Sequence, residues 1–315
     1  MKFYMPSSLT PQPAPIERAI LETLVYSDIF DYPLKRKELH RFLPLRMDEQ
    51  ELTHAMQSLN GQVETKDDFY FLAEREEIVD IRRRRETRSR SLLPRALKYG
   101  RVLGSLPFIR MVALTGSLAV LNIAKNEDFD YMLVTERGRV WTARAFALLF
   151  NRYVKMFGHT ICPNLIVSET ALEWPLHDLY SARELYQMIP ITGMDMYQGL
   201  MKANPWAKEF LPNAWQTSEV SKTSEVSVRS IFELPLRGVL GDKFEQWEMT
   251  RKIARFQKQE GFGEETVFNA EVCQGNFHHH RKWTREVFQS KLVALDISLS
   301  LPSSAARTPP GAYSS

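Results

Sequence analysis

The chain has 315 residues, of which 44% are hydrophobic and 25% are charged, as in ordinary globular proteins rather than fibrous or disordered ones. This length is enough for two or three domains, each with its own core. The net charge of only +3 does not by itself indicate a nucleic-acid binder, so any such role would depend on how the charge is distributed.

The sequence predicts a cytoplasmic protein with no membrane partner. It contains no apolar run that approaches the length of a bilayer span, and residues 1–8 lack the apolar core of a signal peptide. Its two cysteines, Cys162 and Cys273, are too few for a disulfide framework. Cys162 lies in an apolar segment, and we expect it to be a buried free thiol.

The N-terminal part predicts a flexible arm followed by three helices. Residues 1–15 include four prolines, which is typical of a mobile arm. Apolar residues recur at helical spacing in 16–27. Pro33 should open a second helix over 34–43, and Asp48 should cap a third helix that ends near Leu59.

A hairpin follows these helices, with strands at 62–64 and 69–72 around a Lys-Asp-Asp turn. Three helices and a hairpin within 16–80 resemble a winged helix. The third helix, however, carries Asp48, Glu49 and Glu51 but no Lys or Arg, and the turn is also acidic. DNA-binding surfaces concentrate positive charge. We therefore expect this domain to pack or to dock a partner rather than to bind DNA.

A basic segment, 81–110, connects this domain to the rest of the chain. It starts with four consecutive arginines at 82–85 and reads as one long helix with a kink or break at Pro94. One interpretation is a solvated face that pairs with nearby acids. Alternatively, some of the arginines line a cleft and hold a polyphosphate or an RNA backbone. A third idea is that this helix makes the protein a nucleic-acid regulator.

The most specific pattern in the chain begins directly after this helix. Residues 111–114 are apolar, as a buried strand should be. Gly116 can adopt backbone conformations closed to other residues and lets a phosphate approach the main chain. Ser117 can cap a helix over 118–125, whose free N–H groups would face an anion.

Two carboxylates then precede the next apolar run. Asp128 and Asp130 are two residues apart at the start of a predicted strand over 129–134, so their side chains should point to the same face. Carboxylates held together in this way repel one another unless a cation lies between them. Mg²⁺ prefers oxygen ligands and bridges to substrate phosphates, so this spacing indicates a magnesium site.

Thr115-Gly116-Ser117 followed by Asp128-Phe129-Asp130 resembles the motif of the nucleotidyltransferase superfamily, which has the fold of DNA polymerase beta. The chain as a whole also looks like bacterial nucleotidyltransferase-domain proteins that carry an N-terminal winged helix. The resemblance implies an α+β fold with a central mixed sheet flanked by helices. It also implies transfer of a nucleoside monophosphate from a nucleoside triphosphate to an acceptor hydroxyl on a small molecule, protein or RNA.

The same resemblance implies roles for individual residues. Asp128 and Asp130 would hold Mg²⁺ and act in catalysis, and Gly116 and Ser117 would bind the nucleotide. Family members usually carry a third carboxylate on a later strand, but the next predicted strand, 161–168, contains no Asp or Glu. Either Glu169, just beyond it, is the third ligand, or the site departs from the family pattern, with Asn164 at that position.

A departure of this kind favours an alternative function, a catalytically degenerate module that binds a nucleotide or a protein partner. Arg139 follows a turn at 136–139, and it could reach a phosphate or be a surface charge. We expect a nucleotidyltransferase-like core over 111–212, a linker over 213–230, a mainly helical C-terminal region over 231–298 and a disordered tail over 299–315. Within these we predict helices at 118–125, 140–157, 179–189, 194–203, 206–211, 236–260 and 277–297, and a strand at 266–272.

Overall fold

A computed structural model of the chain describes residues 15–59, 61–125, 128–214, 231–263 and 265–295. The predicted arm at 1–14, most of the predicted linker, 215–230, and the predicted tail at 299–315 lie outside the described residues. The described part is a mixed α+β fold with a mixed sheet and a helical C-terminal region, as the sequence predicts. No described helix combines the length and the apolar character needed to cross a bilayer.

The N-terminal unit contains the predicted helices and hairpin and one additional strand. Its elements are α1 (Pro15–Asp28), β1 (Leu34–Lys35), α2 (Arg36–Arg41), α3 (Glu49–Ser58), β2 (Val63–Lys66) and β3 (Phe69–Leu72), and the strands form a sheet in the order β1-β3-β2. Asp48 caps α3 as predicted, since its carboxylate accepts hydrogen bonds from the N–H groups of Gln50 and Glu51, both at 2.8 Å.

The predicted bounds of the helix over 34–43 are wrong at both ends, since the helix runs over Arg36–Arg41. Residues Leu34 and Lys35 pair with Tyr70 and Phe69 as a strand, and the helix begins only at Arg36. The helix gains its cap from Glu38, whose carboxylate accepts a hydrogen bond from the Lys35 N–H at 2.9 Å. Pairing with the hairpin, which is distant in sequence, therefore overrides the local proline signal.

A single helix, α4 (Glu77–Gly104), joins the N-terminal unit to the central sheet. The predicted break at Pro94 does not occur, and the proline is accommodated inside the helix. At its start, Arg82 donates to Glu38 at 2.9 Å and Arg85 donates to the Phe30 carbonyl at 2.8 Å. Farther along, the Ala96 carbonyl accepts a hydrogen bond from Tyr131 at 2.7 Å.

The central sheet has six strands in the order β7-β4-β5-β6-β9-β8. The strands are β4 (Ile109–Leu114), β5 (Phe129–Thr135), β6 (Ile161–Ser168), β7 (Ile189–Thr192), β8 (Thr266–Phe268) and β9 (Val272–Gly275). β5 runs antiparallel to β4 and parallel to β6. We call the end where β4 finishes and β5 and β6 begin the Gly116 end, and the opposite end the Arg139 end.

Helices cover both faces of this sheet. The helices that follow β4 in the chain are α5 (Gly116–Ala119), α6 (Val140–Lys155), α7 (Leu179–Gln187), α8 (Met194–Ala203), α9 (Ala207–Phe210), α10 (Val239–Phe256) and α11 (His280–Ala294). Phe129, Tyr131 and Leu133 of β5 face a core shared with α4 and α6. Met132 and Val134 face the opposite core, shared with α7 and α8. The alternation in β5 thus buries the strand on both faces.

The C-terminal region is part of the central sheet as well as helical. The predicted single strand over 266–272 is instead the hairpin β8–β9, and Ile166 of β6 pairs with Cys273 of β9. The predicted helix over 179–189 ends at Gln187, because Ile189 begins β7 and pairs with Leu114. The last helix, α11, contributes Phe288 and Leu292 to the core of the N-terminal unit.

Candidate nucleotide and metal site

The Gly-Ser turn lies where β4 leaves the sheet. The Thr115 N–H donates to the Asp130 carbonyl at 2.9 Å, which extends the β4–β5 pairing by one bond. Gly116 follows with a φ of 65°, in the left-handed region where glycine carries no steric cost. The chain then makes the single turn of α5, which shows no side-chain cap at its first residue.

The predicted helix over 118–125 is therefore too long. Leu121 has a φ of 57°, and the Asn122 N–H returns to the Ser117 carbonyl at 2.8 Å. Contacts from the N-terminal unit hold the shortened turn in place, because Tyr32 donates its hydroxyl to the Val120 carbonyl at 2.8 Å. A four-residue helix has almost no macrodipole, so backbone amides, rather than a helix end, are what this turn offers to an anion.

Gly116 lies directly against the carboxylate of Asp130. A Cβ atom built on Gly116 would be 2.5 Å from Asp130 Oδ2 and 3.2 Å from its Cβ. No residue other than glycine fits here without displacing this carboxylate. The turn and the second acid of the motif are thus in contact, although 13 positions separate them in the sequence.

Asp128 and Asp130 occupy the beginning of β5, at the Gly116 end. Asp128 is exposed and immediately precedes the strand, whereas Asp130 is partly buried within it. Their spacing places both carboxylates towards one side of the strand. Gly116, Ser117 and the two acids are therefore the predicted site residues that the fold brings together.

The third position of this group is occupied by Cys162. In the parallel pairing of β5 and β6, Asp130 stands opposite Cys162, so the two side chains share a face. Burial raises the pKa of the Cys162 thiol to about 12, and Asp130 and Asp128 oppose its ionisation further. The thiol is neutral and donates a hydrogen bond to Asp130.

Asn164, the other residue considered for this position, falls at an irregularity in β6. The pairing passes from Tyr131 with Pro163 to Met132 with Leu165, which leaves Asn164 without an opposite residue. Its Oδ1 atom is buried and has no hydrogen-bond partner within the described part of the chain. It is thus Cys162, and not Asn164, that the register sets beside Asp130.

Glu169 and Arg139 are at the Arg139 end of the sheet. The Glu169 N–H donates to the Thr135 carbonyl at 2.8 Å, and Thr135 is five strand residues, about 16 Å, from Asp130. The Arg139 guanidinium is 2.6 Å from Asp242 of α10. Neither residue joins Gly116 and the acids, so we do not retain Glu169 as the third ligand or Arg139 as a nucleotide-binding residue.

The residues at the Gly116 end fit one magnesium ion whose remaining ligands would come from water and the substrate. Mg²⁺ is commonly held by one or two carboxylates together with water and phosphate oxygens, and Asp128 and Asp130 supply two. A neutral thiol is a poor ligand for a hard cation. Within the described ranges, no three or more His, Cys, Asp or Glu side chains are grouped to bind a metal by themselves.

Two cavities lie away from this group. One, of about 520 Å³, is lined mainly by α1 and α3, including Ile16, Asp48 and His54. The other, of about 370 Å³, lies at the start of α6 and is lined in part by Arg139 and Glu245. Neither of these two cavities includes Gly116 or the acids.

Sequence reasoning missed Cys162 as a member of the site. No single segment of the sequence carries this signal, because Cys162 comes beside Asp130 only through the parallel pairing of β5 and β6. The sequence and the structure were compared with protein-family models, with curated proteins and with solved structures, and none of these comparisons gave a match.

Proposed function

We propose that the protein is a magnesium-dependent nucleotidyltransferase that moves a nucleoside monophosphate from a nucleoside triphosphate to an acceptor hydroxyl. The observation that supports this proposal is the contact between Gly116 and the Asp130 carboxylate, with Asp128 two residues away. A backbone turn open to phosphate and two carboxylates that suit Mg²⁺ are the parts that a metal-bound triphosphate requires.

Each group would have a separate role. The backbone at Gly116 and Ser117 would bind phosphate oxygens. Asp128 and Asp130 would hold Mg²⁺, which neutralises charge on the phosphates when bound. Cys162 would remain a hydrogen-bond donor to Asp130, because a thiol with a pKa of about 12 is protonated at neutral pH.

The proposal is tested by transfer of labelled nucleotide in the presence of Mg²⁺. The double variant Asp128→Ala/Asp130→Ala should lose transfer by several orders of magnitude and should lose Mg²⁺-dependent nucleotide binding. Glu169→Ala is the matched control, an acid at the opposite end of the sheet, and should retain both. Unchanged transfer in the double variant would contradict the proposal.

A second candidate is a nucleotide-binding module without turnover, and Cys162 favours it. With a thiol in place of a third carboxylate, the site lacks a base and a ligand for a second metal. This candidate predicts that a nucleoside triphosphate with Mg²⁺ raises the melting temperature while no transfer is measurable. Cys162→Asp should then strengthen Mg²⁺ binding. If the wild type turns over, the second candidate is excluded.

For the N-terminal unit we propose a docking role, with the winged helix still a prediction. Glu49, Gln50 and Glu51 on α3 are exposed, and the helix carries no Lys or Arg. The acidic rim of the 520 Å³ cavity, which includes Glu17 and Asp48, suits a basic partner better than a phosphate backbone. Binding of duplex DNA that is weakened by Gln50→Ala on α3 would contradict this role.

A further inference from the structure

Two segments of this chain are strongly positive, although the net charge of the whole protein is small. Residues 87–126 and residues 137–168 contain no Asp and no Glu, although they include arginines and lysines throughout. The whole protein carries a net charge of only +3. The acids are therefore concentrated elsewhere, and these two segments are cationic.

The fold brings the two cationic segments together on one face of the central sheet. Tyr99 of α4 packs edge-on against Phe150 of α6, with their ring centroids 6.0 Å apart. Arg95 of α4 donates a hydrogen bond to the ring of His159, just beyond α6. Residues 88–104 of α4 and the C-terminal half of α6 thus form one continuous surface, which we call the α4–α6 surface.

The cations of this surface are exposed and not neutralised. Several arginines near the start of α4 have acidic partners, for example Arg82 with Glu38 at 2.9 Å and Arg85 with Asp31 at 3.3 Å. Arg88, Arg95 and Lys98 are exposed and follow one face of α4. Among the described residues no carboxylate forms an ion pair with them. Arg152 and Lys155 add two exposed cations on α6.

Aromatic rings are interleaved with these cations. On α6, Tyr153 and Phe157 are 55% and 57% exposed, large values for rings in a folded protein. They pack edge to face at 5.0 Å, and Tyr153 also stacks on Phe150 at 6.2 Å. Exposed rings beside a row of cations are what proteins use to bind single-stranded nucleic acid, because unpaired bases stack on the rings and phosphates meet the cations.

The α4–α6 surface reaches the Gly116 end of the sheet, where the candidate site lies. The ring of His159, held by Arg95, stacks on Phe129 with centroids 5.4 Å apart. Phe129 lies between the two acids in the chain, and their carboxylates point to the other face of the sheet at the same end. On the other side, the Ser89 hydroxyl of α4 accepts a hydrogen bond from the Ile123 N–H at 3.1 Å, in the loop that precedes Asp128.

We infer that the α4–α6 surface binds single-stranded nucleic acid and directs its end towards Asp128 and Asp130. The acceptor hydroxyl is then the terminal hydroxyl of a strand. This assignment of the acceptor rests on the proposed function, whereas binding of the strand does not. Unpaired bases are favoured over a duplex because a duplex offers no free base face to Tyr153 and Phe157.

The test measures binding of fluorescent single-stranded RNA and DNA of one sequence by anisotropy, without Mg²⁺ or nucleotide. Arg88→Glu/Lys98→Glu should weaken binding about tenfold or more, and should reduce the slope of log K against log salt by about 1.4, since each lost phosphate contact removes about 0.7. Lys37→Glu/Lys243→Glu is the matched control, an equal charge change on exposed lysines of α2 and α10, and should bind like the wild type.

A second pair of variants separates stacking from charge. Tyr153→Ala/Phe157→Ala should weaken binding roughly tenfold with an unchanged salt slope, because stacking on rings does not depend on salt. Trp247→Ala, which removes another exposed ring on α10, should have no effect. If RNA and DNA bind with equal affinity, the surface recognises the bases and phosphates that both strands share. If both variants lose binding of RNA but not of DNA, the surface is specific for RNA.

Three results would overturn the inference: no binding of either strand, equal effects of the test and control variants, or tighter binding of duplex than of single strand. Vesicles with anionic lipids provide the competing outcome, and binding to vesicles alone would identify a membrane-contacting surface instead. Asp128→Ala/Asp130→Ala should bind the strand normally. Strand binding without nucleotidyl transfer would thus refute the proposed function but not this inference.

Discussion

At the scale of single residues, Gly116 shows what the local sequence can specify. A glycine after an apolar strand and an Asp-x-Asp pattern ten residues later are local signals, and they correctly located a turn beside two carboxylates. Cys162 is the opposite case. Its position beside Asp130 depends on the parallel register of β5 and β6, which no single segment of sequence contains.

Gly116→Ala should damage the site through contact rather than through backbone strain alone. The new Cβ would meet Asp130 Oδ2 at 2.5 Å and displace the carboxylate. Gly138→Ala is the matched control, since its φ of 68° is similar and nothing lies within 4 Å of the added atom. Each variant should lose about 1–2 kcal/mol of unfolding free energy in urea. Only Gly116→Ala should lose affinity for nucleotide with Mg²⁺.

Equal nucleotide affinities in the two alanine variants would show that the carboxylate of Asp130 does not participate in binding. Equal losses of affinity would instead point to a general effect of backbone strain.

Cys162 should be unusually slow to alkylate. Burial, and with it the charges of Asp130 and Asp128, raises the pKa of the Cys162 thiol to about 12, so the reactive thiolate is scarce up to pH 9. Asp130→Asn removes one opposing charge, which lowers the pKa and should accelerate reaction with iodoacetamide. Rates are measured peptide by peptide by mass spectrometry, with Cys273 as the internal reference.

A Cys162 rate in the native protein equal to that in urea would contradict this prediction. An unchanged rate in Asp130→Asn would mean that burial alone suppresses the thiolate.

At the scale of elements, the sequence predicted the existence of most helices but not where several of them end. The predicted helix after Ser117 has good local periodicity, yet it stops at Ala119 because the N-terminal unit binds the Val120 carbonyl and the Asn122 side chain. The short strand β7 was missed because Ile189-Pro-Ile-Thr192 is brief and contains proline, and only pairing with β4 makes it a strand.

The start of α6 depends on a carboxylate from another helix. Glu245 of α10 is 8% exposed and accepts hydrogen bonds from the Trp141 N–H at 2.8 Å and the Thr142 N–H at 2.7 Å. It thereby satisfies amide groups that α6 cannot satisfy within itself. No feature of the sequence near 140 predicts this cap, because the carboxylate that accepts the two hydrogen bonds lies about a hundred residues later.

Glu245→Ala should therefore cost about 2–3 kcal/mol of unfolding free energy, since two buried amides lose their acceptor. Glu245→Gln keeps one oxygen and should cost less. Urea titration followed by circular dichroism measures both. A loss below about 0.5 kcal/mol in the alanine variant would mean that water replaces the cap.

At the scale of the whole molecule, the last described helix, α11, packs into the core of the N-terminal unit. Asp28 of α1 is buried and receives Arg75 at 2.7 Å and Lys291 of α11 at 2.6 Å. Phe288 of α11 packs edge-on against Tyr26 with centroids 5.6 Å apart. The sequence predicted separate regions over 16–80 and 231–298, and nothing local to either segment indicates that they share a core.

Phe288→Ala tests this shared core. Removing a buried ring should cost about 3–5 kcal/mol, and should shift the unfolding of the N-terminal unit and of the central sheet together. Coincident shifts in far-ultraviolet circular dichroism and in tryptophan fluorescence would show one cooperative transition. A variant in which only part of the signal shifts would show that α11 stabilises the N-terminal unit alone.

The continuity of α4 through Pro94 has a metric consequence. An unbroken helix rises about 1.5 Å per residue, so Arg88 and Lys98 are held about 15 Å apart along a rigid rod. That separation corresponds to about four phosphate spacings of a stacked strand. A helix broken at the proline would leave this interval free to change. The unbroken helix fixes it, so a strand bound to the α4–α6 surface would meet Arg88 and Lys98 at phosphates about four nucleotides apart.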